Sequence, residues 1–296
     1  MMHSHVHSST KSLTVKSAAA WTNADMTLCN ATVVDVDAAT FFGAYLRDLP
    51  TPSVSPTILS TKVTHPQQPY PLHTHTALTN DERLFFNYLE AAMAPGDNQT
   101  SAIIDFAIHI LHILDFTESK PSKLRPECEG KHRRVLRKDH DLPLFMCGRT
   151  VHTTADACLI FPCTEAHNGD TVLLIVKAAP FPAAGSECSA EAQLFAQAIG
   201  AFQCYNRDRR RAQLSPVDSQ LFLGLVMKGT TPILYKIEIT VGLVECVQSA
   251  QKPPKITYVQ RFEMPLDRKS VFTEGMIPLA NRKIMLGYVE AFKELI

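Results

Sequence analysis

The sequence predicts an α/β (α+β) chain in which a central mixed β-sheet is flanked by helices. Three observations lead there. Helical patterns at 79–94 and 101–116 precede strand patterns at 142–176, and a helix, more strands and a last helix follow. The stretch Thr171-Val172-Leu173-Leu174-Ile175-Val176-Lys177-Ala178-Ala179-Pro180 reads as a buried strand. The strand before it, Ala155-Asp156-Ala157-Cys158-Leu159-Ile160, places one carboxylate in an apolar run.

The 296 residues suffice for one well-buried core with an appended segment, and the 45% apolar fraction is that of a globular protein. Formal net charge is zero, so no global field draws the chain to nucleic acid or membrane. Phosphate binding must come from local patches. No run of about 18 apolar residues predicts a membrane span. The polar N-terminus carries no apolar signal core. The chain is therefore expected inside the cell, in cytoplasm or nucleus. Its eight cysteines show no CxxC spacing, which argues for reduced structural thiols and against zinc.

Residues 1–30, rich in Ser, Thr, His and Ala without an apolar period, are expected to form a disordered tail. Residues 31–76 read as a proline-rich peripheral segment. It has a short strand at 32–36 and helical spacing in Phe41, Phe42, Tyr45 and Leu46. The main domain is expected at 77–296. Thr79 and Glu82 form a capping box for its first helix, and Pro95-Gly96 ends it. The second helix, 101–116, carries His109 and His112, whose expected role is packing. Residues 118–141 read as a solvated basic loop. Residues 142–147 re-enter as a strand that turns at Gly148. A helix is expected at 189–205, a hairpin of strands at 221–227 and 233–241, an edge strand at 256–262 and a final helix at 281–295.

Two carboxylates on adjacent strands can hold a divalent cation, which lowers the pKa of a bound water and stabilises charge on a scissile phosphate. A lysine two residues beyond the second carboxylate shares its strand face. Asp156 supplies a first carboxylate and a weak candidate metal ligand. The acid-x-lysine positions on the second strand hold Ala178-Ala179-Pro180, and none of these can bind a cation. Lys177 points to the opposite face of a regular strand, unless a bulge turns it inward. Glu191 and Gln193 open the next helix, where an acid also suits the macrodipole. Arg133, Arg134, Arg137 and Lys138, with Arg209, Arg210 and Arg211, are the candidate phosphate contacts.

With these motifs in view, residues 79–296 resemble a large family of proteins from mushroom-forming fungi that carry a PD-(D/E)XK nuclease-like domain. The resemblance rests on 144–148, 155–160 and 173–176, then on 191–202, 229–237, 275–282 and 290–293. It implies a restriction-endonuclease-like core. The family pattern ends the second strand in Val-Gln-Glu-Asp-Lys, where this chain has Val176-Lys177-Ala178-Ala179-Pro180. Asp156, Glu191 and Gln193 carry over, while the second carboxylate and the lysine do not. The expectation is a catalytically inactive nuclease-like protein that retains a surface for nucleic acid or protein, with no cofactor. One alternative is a metal-dependent nuclease with a rearranged site built from Asp156, Glu191 and Lys177, which needs Mg²⁺. The other is an interaction module with no nucleic-acid role.

Overall fold

A computed structural model of the protein describes residues 12–43, 46, 48–63, 78–118, 133–162, 170–179, 189–267 and 273–296. In chain order its elements begin with α1 (Asn23–Leu28), β1 (Ala31–Asp35), α2 (Ala38–Phe42), α3 (Asn80–Met93) and α4 (Gln99–Ile113). Five strands follow: β2 (Val135–Asp141), β3 (Leu144–Met146), β4 (Arg149–Val151), β5 (Thr154–Phe161) and β6 (Thr171–Ala179). The rest are α5 (Ala190–Arg211), β7 (Ser219–Lys228), β8 (Thr231–Thr240), α6 (Val241–Gln248), β9 (Thr257–Phe262) and α7 (Leu279–Lys293).

Seven strands form one mixed sheet in the order β1-β9-β8-β7-β6-β5-β2. The pairs β1–β9 and β6–β7 are parallel and the other four are antiparallel. The parallel β6–β7 pair requires a crossover connection, and α5 lies in it. Helices cover both faces of the sheet. On one, Phe85, Phe106 and Phe292 from α3, α4 and α7 pack with Leu174, Val176, Leu225 and Leu234. On the other, Phe195 and Phe202 of α5 pack with Cys158, Ile175, Val226 and Ile237. A strand covered on both sides is apolar throughout, which is why β6 reads as a continuous hydrophobic run.

Local signals explain the helix ends. Glu82 N–H donates to Thr79 Oγ1 (3.3 Å) and Thr79 N–H to Glu82 Oε2 (2.8 Å), the reciprocal bonds of a capping box. Ser189 caps α5 by accepting from Ala192 N–H. Midway along β7, Gly224 makes room for α5: a Cβ there would lie 2.5 Å from Leu194 Cδ2.

Four expectations change. Residues 12–30 pack into the core beneath α5. Trp21 is fully buried with its ring 6.3 Å from that of Phe195, and Ala18, Met26 and Cys29 are buried with it. Part of the expected basic loop, 135–141, is β2, an edge strand whose charges suit an edge. The strand at β9 is internal, because β1 adds in parallel beside it. Helix α6 follows β8 with no loop, its N-terminus capped by Thr240 Oγ1 accepting from Leu243 N–H (3.2 Å). Residues 1–11 and 64–77 lie outside the described residues, as do Lys123, Arg125, Lys131 and Pro180.

Candidate functional site

Asp156 and Lys177 are direct cross-strand neighbours. The β5–β6 ladder pairs Ala157 with Val176, which sets Asp156 opposite Lys177 one step along. Lys177 Nζ lies 2.7 Å from Asp156 Oδ1, and Ala178 N–H donates to Asp156 Oδ2 at 2.7 Å. Both side chains are only 15% exposed. The carboxylate thus has an ammonium on one oxygen and an amide on the other.

This differs from the orientation a regular strand gives Lys177. The register shifts between Leu159 and Ile160: Leu159 faces Leu174, whereas Ile160 faces Val172. Leu173 is the extra residue, and it and Leu174 both pack on the α3–α4 side. Such a bulge reverses the alternation of everything beyond it. Lys177 and Ala179 therefore share the α5 side of the sheet with Asp156. Ala178 is buried on the α3–α4 side. An acid at 178 would face the layer opposite Asp156.

Glu191 and Gln193 do not join this pair. Glu191 Oε1 accepts from Tyr235 OH (2.8 Å) and from the Arg261 guanidinium (2.7 Å). Tyr235 is on β8, and three strand spacings, about 14 Å, separate β8 from β5. Metal–oxygen bonds are about 2.0–2.6 Å, so Glu191 and Asp156 cannot share one cation. Gln193 Nε2 donates to Ala19 O (3.1 Å), tying α5 to the N-terminal segment. The glutamine of α5 that meets β5 is Gln197, one turn on, whose Nε2 donates to Thr154 O (2.9 Å).

Arg261 organises a second polar cluster on the same side of the sheet. It grips Asp35 with two bonds (2.6 and 2.9 Å) and reaches Glu191 with a third. The β1–β9–β8 register aligns Asp35, Arg261 and Tyr235 in one row. Asp35, then Glu191, hold the guanidinium above its usual range. Burial, reinforced by the Glu191 carboxylate, pushes the Tyr235 hydroxyl well above the usual phenol value. Arg261 follows buried Val259 by two residues, so it shares that strand face. A charge on a buried face demands a partner, and this alternation was the available signal.

The donors fit a bound metal poorly. Asp156 is occupied by Lys177, Glu191 is neutralised by Arg261, and no group of three His, Cys, Asp or Glu able to hold a metal occurs among the described residues. His109 is buried, its Nε2 3.0 Å from Asp81 O and its ring edge-on to Tyr88. Burial lowers its pKa.

The basic residues are dispersed and mostly engaged. Arg134 is buried beneath the Phe161 ring. Arg137 pairs with Asp170, and Lys138 pairs with Asp105 at 3.0 Å. Arg209 donates to Ser215 O (2.7 Å) and Arg211 lies 3.5 Å from Asp208. Arg133 and Arg210 are exposed. No helix among the described residues is long and apolar enough to cross a membrane. No family model matches this chain, and no curated protein matches it either.

Proposed function

We propose that this chain is a nuclease-like scaffold without metal-dependent cleavage, acting through its surface. The observation that carries the reading is the Lys177–Asp156 contact. An ammonium 2.7 Å from the one candidate carboxylate supplies the positive charge that a cation otherwise brings. It offers neither a Lewis acid nor a bound water to activate. The order of the elements supports the nuclease-like part: a strand with Asp156, a buried strand, then a helix with Glu191 on the side of the sheet that Asp156 faces. The pairing of Arg137 and Lys138 with acids weakens the case for a basic nucleic-acid surface there.

A rearranged nuclease is the second reading, and the contact meets one of its two requirements, the Lys177 amine beside Asp156. It also requires Glu191, which Arg261 and Tyr235 hold elsewhere. One experiment separates the two. The purified chain is incubated with single- and double-stranded DNA and with RNA in Mg²⁺ or Mn²⁺, next to Asp156→Ala. The proposal expects no difference between the proteins. Cation-dependent cleavage lost in Asp156→Ala would overturn it and install the second reading.

A further inference from the structure

On the side of the sheet away from α5, the far ends of β7, β8 and β9 are left uncovered by α3, α4 and α7. A cavity of about 760 Å³ lies there. Its volume is within the range of small-molecule sites. Leu221, Pro254, Ile256 and Tyr258 give it an apolar wall, and Lys236 stands in it. Tyr258 of β9 and Ile256, just before that strand, are more than half exposed.

Lys236 is the informative residue. It is half-buried at a strand centre, donates one hydrogen bond to Phe41 O and sits 4.9 Å from the centre of the Phe41 ring. Burial lowers its pKa. Among the described residues no carboxylate lies within 4.0 Å of its amine, unlike Lys138, Lys177 and Lys293, which each have one. The carbonyl and the ring only partly compensate a desolvated ammonium. Two of its three protons remain for a ligand. Glu238, on the same strand face, is exposed to solvent, and Lys255 at the rim adds a second positive charge.

We infer that this cavity binds a small organic anion with an apolar body, its carboxylate on Lys236 and its chain along Leu221, Ile256 and Tyr258. The inference does not depend on the nuclease-like reading, since the cavity opens on the opposite side of the sheet from Asp156.

The test is isothermal titration of the full chain with octanoate, and with octanol as the uncharged probe. Octanoate is expected to saturate one site, with octanol at least ~10-fold weaker, the loss of one charge-assisted hydrogen bond. Lys236→Met is expected to bind both probes alike, and Lys236→Arg to keep the preference. Ile256→Asp, at an exposed position that leaves folding intact, is expected to weaken octanoate whether or not Lys236→Met folds. Absence of saturable octanoate binding, equal affinity for octanol, or unchanged binding in Ile256→Asp would each overturn the assignment.

Discussion

Lys177 and Asp156 face each other across the β5–β6 ladder with 2.7 Å between ammonium and carboxylate, and a bulge at Leu173, four residues before Lys177, is what makes them face. Continuing the Ile160–Val172 register without the extra residue at Leu173 would turn Lys177 into the α3–α4 core and set Val176 opposite Asp156. The bulge thus decides which residue the carboxylate meets. It converts a lone acid in an apolar strand into half of a neutral pair.

That pair makes an asymmetric prediction. Lys177→Met leaves the Asp156 carboxylate with only the Ala178 amide, and is expected to cost about 2–4 kcal/mol, as for other broken pairs of low exposure. Asp156→Ala strands both an ammonium and an amide, so it is expected to cost at least as much. Replacing both partners, with Asp156→Leu and Lys177→Met, should recover most of the loss. Urea denaturation of the three variants gives the coupling. Additive losses would show that the pair contributes nothing as a pair.

The limits of the sequence are physical. Capping residues act within one turn, so Thr79 and Glu82 were legible, as were the amphipathic spacings of α5 and α7. The direction of Lys177 was not, because a strand buried on both faces has no alternation to reveal a bulge. Charges that protect the edge strand β2 look the same as those of a solvated loop. Trp21 sits among small residues with no period, so nothing local marked 12–30 as core. The Glu191–Arg261 contact spans 70 residues and follows only from the β8–β9 register.

The Arg261 cluster should separate by exposure. Asp35 is 61% exposed, so Asp35→Asn is expected to cost under ~1 kcal/mol. Arg261→Met leaves Glu191, 20% exposed, with Tyr235 alone, and is expected to cost about 2–3 kcal/mol. Chemical denaturation ranks the two. Equal costs would mean that Glu191 does not need Arg261.

Tyr235 ties the same cluster to alkaline pH. Its folded pKa lies above the unfolded value of 10.0. Above about pH 10 the unfolded chain therefore loses this proton while the folded chain keeps it, and stability falls as pH rises. Tyr235→Phe is expected to lessen the fall in stability between about pH 10 and 11. Tyr288 and the buried thiols of Cys29, Cys158 and Cys204, all raised by burial, leave a residual slope. Urea midpoints at pH 8, 10 and 11 measure the difference, and an unchanged slope would refute the assignment.

The dispersed cations predict weak binding to nucleic acid. With Arg137 and Lys138 already paired, few of the candidate cations among the described residues remain to displace counterions, and the salt slope is expected to match about two phosphate contacts or fewer. Fluorescence anisotropy with labelled DNA at 50 and 200 mM salt reads the slope directly. Arg137→Glu is expected to leave it unchanged, whereas a steep slope that this variant abolishes would restore the basic patch as a binding surface.

The seating of α5 on the sheet supplies the last prediction. Adding a methyl at Gly224 drives it against the Leu194 side chain, while adding one at Gly200 drives it to 2.9 Å from the Leu142 carbonyl. A side chain can rotate away and a backbone carbonyl cannot. Both alanine variants are expected to lose about 1–3 kcal/mol from overpacking, with Gly200→Ala the worse. Trimming the neighbour tests the mechanism. Leu194→Ala leaves a cavity on its own, but combined with Gly224→Ala it should cost less than the sum of the two single changes. No substitution at Leu142 relieves Gly200→Ala, because the obstacle there is a main-chain oxygen. Thermal melts of the single and double variants distinguish a side-chain clash from a general intolerance of α5 to movement.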